Sequence, residues 1–195
     1  MLKIILASKS EVRKNILEKN KIACEVIYSN IDEDPIKENL IKLGEKPEII
    51  SKNLAEIKAN KVSNLQNDKL VLGADSVIDL DGNLISKPIN RKDAFNILKK
   101  LNGRKHKLIS SVCISLNGSM IWNYTDKAEL KMKKLNSEQL KEYLSKISDK
   151  NLYSYNVYQI EGLGRTLFQS IEGDENTIMG LPIHKIKSYL SERKC

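Results

Sequence analysis

The sequence predicts an α/β fold, three layers built around an elongated mixed β-sheet. Three observations carry this. Short apolar runs of strand length interleave with amphipathic segments of helix length along the whole chain. Helix-capping residues (Ser, Asn) precede several of the amphipathic segments. Tight-turn signals, "DGN" and "NGS", fall between neighbouring strand-like runs.

Taken in order, "LKIILA" (2–7) reads as a short buried strand. Ser8 or Ser10 then caps a helix whose apolar side carries Val12, Ile16 and Leu17. "IACEVIYS" (22–29) is a second strand. "NIDEDPIKENLIKLG" (30–44) is a loop with an acidic entry to a short helix that Gly44 ends. A longer helix over 46–65 places Ile50, Leu54, Ile57 and Val62 on one core-facing stripe. "LVLGADSVIDLDGNLISKP" (70–88) reads as two strands joined around Asp81, Gly82 and Asn83. Asn90 caps a helix with Asp93 in the capping-box position and Gly103 at its end. Two strand-like segments, 106–116 and 120–135, flank an Asn117-Gly118-Ser119 turn, and a helix follows from Asn136 or Ser137. Residues 148–182 are less regular, with a final strand or two. A helix with Pro182 in its first turn closes the chain.

The 195 residues are long enough for a sizeable core and are read as a single domain, 1–195, with room for two merged lobes flanking a central cleft. No apolar run approaches the roughly 20 residues that span a bilayer. The opening "MLKIILASKSEVRKN" has too short an apolar part for a secretory signal, so the expected location is cytoplasmic. Three widely spaced cysteines, Cys24, Cys113 and Cys195, argue against a disulfide framework and a zinc cluster; Cys24 and Cys113 read as core thiols. His106 and His184 read as packing or surface residues. The net charge of +8 suits anionic partners, but the lysines form no dense block and no aromatic stacking motif accompanies them, so nucleic acid is not the expected partner.

Three places combine charge with a special backbone setting. In "LASKSEVR" two serines precede a helix N-terminus, where free N–H groups favour an anion, and Arg13 offers a fork for phosphate oxygens. Glu33 lies in "NIDED", and Lys58 on the long helix. Asp75 is a carboxylate carried on an apolar strand, with Lys87 returning on the next. A magnesium–nucleotide site needs one or two carboxylates for the metal and cations for the phosphates. Asp75 and Glu33 with Lys87, Lys58 and Arg13 meet that need, although spacing alone does not bring them together.

The ordered blocks "ILASKSEVR", "IDE", "AEIKANKV", "GADSVIDLDG…ISKP", "YQIEGLGRTLF" and "IEGDENTIMGLP" resemble the Maf family of nucleoside triphosphate pyrophosphatases. The resemblance implies hydrolysis between the α and β phosphates, a divalent cation (Mg²⁺ or Mn²⁺), a nucleoside triphosphate substrate and a homodimer. Asp75 matches the family's proton acceptor, and Arg13, Ser76 and Glu161 match its substrate-recognition positions. Ser8, Glu33, Lys58 and Lys87 fall in the phosphate and metal neighbourhood, with Glu33 and Asp75 as the metal carboxylates; Ser10 joins the substrate-binding set through its hydroxyl at the helix N-terminus. Whether Asp75 is the base or a ligand of the metal stays open. The first block departs from the family's serine-proline-arginine-arginine run, with Glu11 and Val12 in place of the proline and first arginine. At Glu161 much of the family has glutamine. An ionised glutamate only accepts hydrogen bonds, which favours a guanine-like base with neighbouring donors, as in the 7-methyl-GTP branch. Competing readings are a dTTP/UTP-type pyrophosphatase, a non-catalytic regulator of cell division, and a basic RNA-binding module.

Overall fold

The first apolar run forms β1 (Lys3–Leu6) in the computed structural model, which describes residues 3–193. Leu2 and Cys195 fall outside these bounds. Ser10 caps α1 (Glu11–Lys19), its Oγ accepting from the Arg13 backbone N–H at 3.3 Å. β2 (Ala23–Val26) is shorter than its apolar run suggested. α2 (Asp34–Lys42) and α3 (Pro47–Ser63) both carry a proline in their first turn, Pro35 and Pro47, which lacks the N–H that a first helical turn leaves unpaired. β3 (Val71–Leu80) turns through Asp81 and Gly82, both at positive φ, into β4 (Asn83–Ile85). Then follow α4 (Arg91–Leu101), β5 (Lys105–Leu116), β6 (Ser119–Met132) and α5 (Ser137–Ser145). The irregular stretch holds one strand, β7 (Phe168–Glu172), between two short helices, α6 (Asp149–Tyr155) and α7 (Glu175–Ile178). Those helices were not legible because each is under three turns and rests on caps, Ser148 and Asp174, rather than on an apolar stripe. α8 (Ile183–Glu192) ends the described chain.

The mixed sheet has the order β2-β1-β3-β5-β6-β7, with β4 on the same edge of β3 as β1. β1 runs parallel to β2 and β3, and the remaining pairs are antiparallel. α3 covers one face, where Val62 meets Ile5 and Val71, and Ala55 and Ala59 meet Cys113. The other face carries two apolar clusters. One packs Leu6, Leu72 and Ile114 against α1 and α8; the other packs Ile78, Leu108 and Leu130 against α4 and α5. This is the three-layer α/β arrangement.

Ile57 departs from expectation. The buried stripe of α3 runs through Ile50, Leu54, Lys58 and Val62, and Ile57 faces solvent. A four-residue step from Leu54 lands on the lysine, so the helix turns a charged residue inward where the apolar reading placed an isoleucine. No described helix is long and apolar enough to cross a membrane. Cys113 is buried, Cys24 half-buried and His184 exposed.

His106 is buried on β5. Its Nε2 lies 2.8 Å from the Tyr158 hydroxyl, and its Nδ1 has no partner. Burial lowers its pKa from 6.5 to about 4. The unfolded chain therefore takes up a proton below pH 6.5 that the folded chain refuses until about 4. Stability is complete above pH 6.5 and falls by about 3 kcal/mol as pH drops through this window. Urea midpoints measured from pH 7.5 to 4 should show the fall, and His106→Gln should flatten it; parallel profiles would refute the assignment.

Candidate active site

The site begins at a gap in the sheet. β1 pairs with β3 only as far as Leu6 opposite Leu72, and β4 joins that edge only from Ile78. Between them Gly73–Val77 have no strand neighbour on that side, while β5 continues on the other. Asp75 is thus mid-strand, opposite Ser111, and not at a strand end. The end that matters belongs to β1, whose following loop opens the crevice, the usual place for a ligand in α/β sheets. The two-residue period of β3 sends Asp75 toward α3 and Ser76 toward the opposite face. A cleft of about 540 Å³ straddles the gap and reaches both.

On the α3 side Lys58 is 7% exposed and bridges two carboxylates, at 2.7 Å from Asp75 Oδ1 and 2.8 Å from Glu33 Oε1. Lys37 holds Glu33 Oε2 at 2.9 Å. Burial alone would raise the Glu33 carboxyl, but the charges and hydrogen bonds of Lys58 and Lys37 outweigh it and hold the pKa at about 2. Asp75 Oδ2 is buried without a hydrogen-bond partner. Such an atom calls for a proton, a cation or a water. Gly73 sets this contact. A Cβ there would lie 2.3 Å from the Ala55 carbonyl and 2.7 Å from the Ala59 nitrogen, so α3 approaches β3 only over a glycine. That approach brings Lys58, one residue before Ala59, onto Asp75, two residues after Gly73.

Lys87, past the β3–β4 turn, lines the cleft with its side chain exposed. The surrounding cleft walls shed enough water from its ammonium to lower its pKa although the residue reaches solvent, while Glu33 pulls the other way and Arg13 lowers it further. In the β1–α1 loop, Ser8 Oγ accepts from the Ser10 N–H and from Arg13 Nη1, both at 3.2 Å. The hydroxyl hydrogens of Ser8 and Ser10 remain to donate to a ligand.

Arg13 is placed differently from the open phosphate fork expected of it. Its Nη1 donates to Ser8 Oγ and to the Ala74 carbonyl, its Nε to the Gly180 carbonyl and its Nη2 to Ser76 Oγ. The Ala74 carbonyl lies in the unpaired stretch of β3, so the guanidinium stands where a strand would have been. One Nη2 hydrogen is left for a ligand, too few for a bidentate grip. Burial lowers its pKa, against the attraction of Asp75 and Glu33.

The far wall comes from the segment after α6: Asn156, Tyr158, Gln159, Ile160 and Glu161. Glu161 forms no ion pair among the described residues, and its carboxylate accepts one hydrogen bond there, from Gln159 Nε2 at 3.4 Å. The cleft walls therefore bring together Ser8, Ser10, Arg13, Glu33, Lys58, Asp75, Ser76, Lys87 and Glu161. Sequence reasoning missed Lys37, although its spacing of four from Glu33 on a helix start was a signal. It also missed Ser110 and Gly180, for which no local pattern exists.

The family model for Maf-like protein matches residues 3–193. The chain belongs to the Maf family. This Maf chain is 65% identical over 187 residues to a protein of Pelagibacter ubique named nucleoside triphosphate pyrophosphatase, covering 96% of each. It is 36% identical over 190 residues to a 7-methyl-GTP pyrophosphatase of Rhizobium etli, covering 97% of this chain and 96% of the relative. Among solved structures, a HAM1 protein from Coxiella burnetii superimposes with a TM-score of 0.54 at 11% identity, covering 98% of this Maf chain and all of the other. At that identity the likeness shows the fold alone.

Proposed function

We propose that the cleft hydrolyses a nucleoside triphosphate between its α and β phosphates, releasing a monophosphate and pyrophosphate. The observation that carries this is the Glu33–Lys58–Asp75 bridge beside the cleft, with Asp75 among the lining residues and its Oδ2 buried and unpartnered. The name of the 65% identical relative supports the same reaction class.

The residues present fit a divalent cation, Mg²⁺ or Mn²⁺. Glu33 and Asp75 supply hard carboxylate oxygens, Oε1, Oε2 and Oδ1 each keeping a lone pair beside its lysine contact, while the unpartnered Oδ2 is left for a proton. No larger group of His, Cys, Asp and Glu fit for a metal occurs among the described residues. Two carboxylates completed by substrate phosphates suit magnesium, which keeps few protein ligands. When bound, the cation neutralises phosphate charge and lowers the pKa of water.

The chain's own groups divide the remaining work. Asp75 accepts the proton of the attacking water at Oδ2. Lys58, already held against Asp75, orients that carboxylate and balances charge beside it. Lys87 faces the leaving pyrophosphate, with the Ser8 and Ser10 hydroxyls as donors to phosphate oxygens. Glu161 accepts from the base. A guanine edge offers N1–H and an amino group side by side, whereas uracil and thymine alternate donor with acceptors. We therefore assign a guanine-like base, with 7-methyl-GTP a candidate that the named function of the 36% identical relative supports. Turnover of 7-methyl-GTP, GTP, UTP and dTTP, followed by pyrophosphate release, tests this. The expected order places the guanine nucleotides first; a preference for UTP and dTTP would contradict it.

A further inference from the structure

We infer that Ser110, a buried residue outside the cleft wall, fixes Ser76 as an acceptor-only group and so helps select a base edge that donates hydrogen bonds. The inference rests on the reading of the cleft as a nucleotide site with the base against Ser76 and Glu161. Ser76 and Ser110 are direct cross-strand partners on β3 and β5, and their hydroxyl oxygens lie 2.8 Å apart. Ser110 is fully buried, and its Oγ lies 2.7 Å from the Thr177 carbonyl on α7.

The proton positions follow from chemistry alone. A carbonyl only accepts, so the single hydroxyl hydrogen of Ser110 is spent on Thr177. The bond between the serines must then use the hydrogen of Ser76. Arg13 only donates, so its Nη2 at 2.9 Å occupies one lone pair of Ser76 Oγ. The chain runs in one direction: Arg13 to Ser76 to Ser110 to the Thr177 carbonyl. Ser76 has no hydrogen left, and offers the cleft one lone pair. A free serine hydroxyl would rotate to suit either a donor or an acceptor. This one discriminates, because a base carbonyl placed against it meets lone pair on lone pair.

The same chain has a structural side. Ser110 lies between the two apolar clusters on its face of the sheet, and the Gly180 N–H also donates to the Thr177 carbonyl. A purely structural role for Ser110 would lower stability or overall turnover without changing the preference between bases. Ser110 is thus a positioning residue, acting through Ser76.

The test measures binding of α,β-methylene analogues of GTP and UTP by calorimetry, which needs no turnover. In Ser110→Ala the Ser76 hydroxyl is released to donate, and the UTP-to-GTP ratio of Kd should fall about fivefold, the worth of one neutral hydrogen bond. Ser110→Thr keeps the hydroxyl and should keep the wild-type ratio. Ser110→Cys preserves volume with a poor acceptor and should move the ratio the same way as Ala; it decides the matter if the alanine variant does not fold. In a Ser76→Ala background the Ser110 substitutions should leave the ratio unchanged. A ratio within twofold of wild type in both Ser110→Ala and Ser110→Cys, or an equal shift without Ser76, overturns the inference. Failure of wild type to release pyrophosphate while both analogues bind overturns the proposed reaction and leaves this result readable. Absence of binding to either analogue overturns both.

Discussion

Asp75→Asn should lower pyrophosphate release by about a thousandfold, while the protein stays folded. The size follows from the role. A positioned general base contributes about 10²–10⁴ in rate, and asparagine neither takes the proton nor supplies an anionic oxygen to a cation. Asparagine keeps the shape and leaves one acceptor for Lys58, which now stands 2.7 Å from Oδ1. Lys58 also retains Glu33, so its ammonium is not abandoned in the interior. The loss should therefore appear in kcat, with the urea midpoint little changed. A variant that hydrolyses as fast as wild type would remove Asp75 from the chemistry.

Gly73→Ala should damage stability and activity together. The added carbon would press on the Ala55 carbonyl and the Ala59 nitrogen, which are helix backbone and have no rotamer to yield. Overpacking of a rigid interior costs about 1–3 kcal/mol and at times more, and the upper end applies where backbone meets backbone. Relief requires α3 to move away from β3. That movement carries Lys58 off Asp75, and a misplacement of about 1 Å costs about a hundredfold in rate. The two losses should be separable by measuring turnover at a temperature where the variant is still folded. Wild-type turnover in a destabilised but folded Gly73→Ala protein would show that the close helix packing does not position Lys58.

The parts of the fold legible in the sequence were those written locally. Asn90, Asn136 and Ser10 cap their helices through side-chain oxygens, and the Asp81–Gly82 turn takes the positive φ values its residues allow. α6 and α7 escaped because one or two turns of helix leave no period to read. The site was legible as a set of residue types without a geometry. Nothing near Asp75 in sequence says that β1 stops at Leu6, or that β4 rejoins the edge at Ile78. Yet that gap sets a mid-strand carboxylate against the cleft. Lys58 is a candidate from sequence, but its place on the buried face of α3 is not legible, since Ile57 offers an apolar residue one position away. Arg13 has the sequence setting of a phosphate ligand, because an arginine on a helix N-terminus is usually free. Its partners Ala74, Ser76 and Gly180 lie far along the chain and are invisible to spacing.

The acidic Glu11 at the start of α1 lines the cleft, and nothing in the structure explains an anion beside the phosphate positions proposed above.

Product identity tests the central claim most directly. The protein should be incubated with Mg²⁺ or Mn²⁺ and each of 7-methyl-GTP, GTP, UTP and dTTP, and the phosphorus-containing products resolved by ³¹P NMR. Cleavage between the α and β phosphates predicts nucleoside monophosphate and pyrophosphate in equal amounts, lost in Asp75→Asn. Nucleoside diphosphate with orthophosphate, or no product from any of the four, would contradict it.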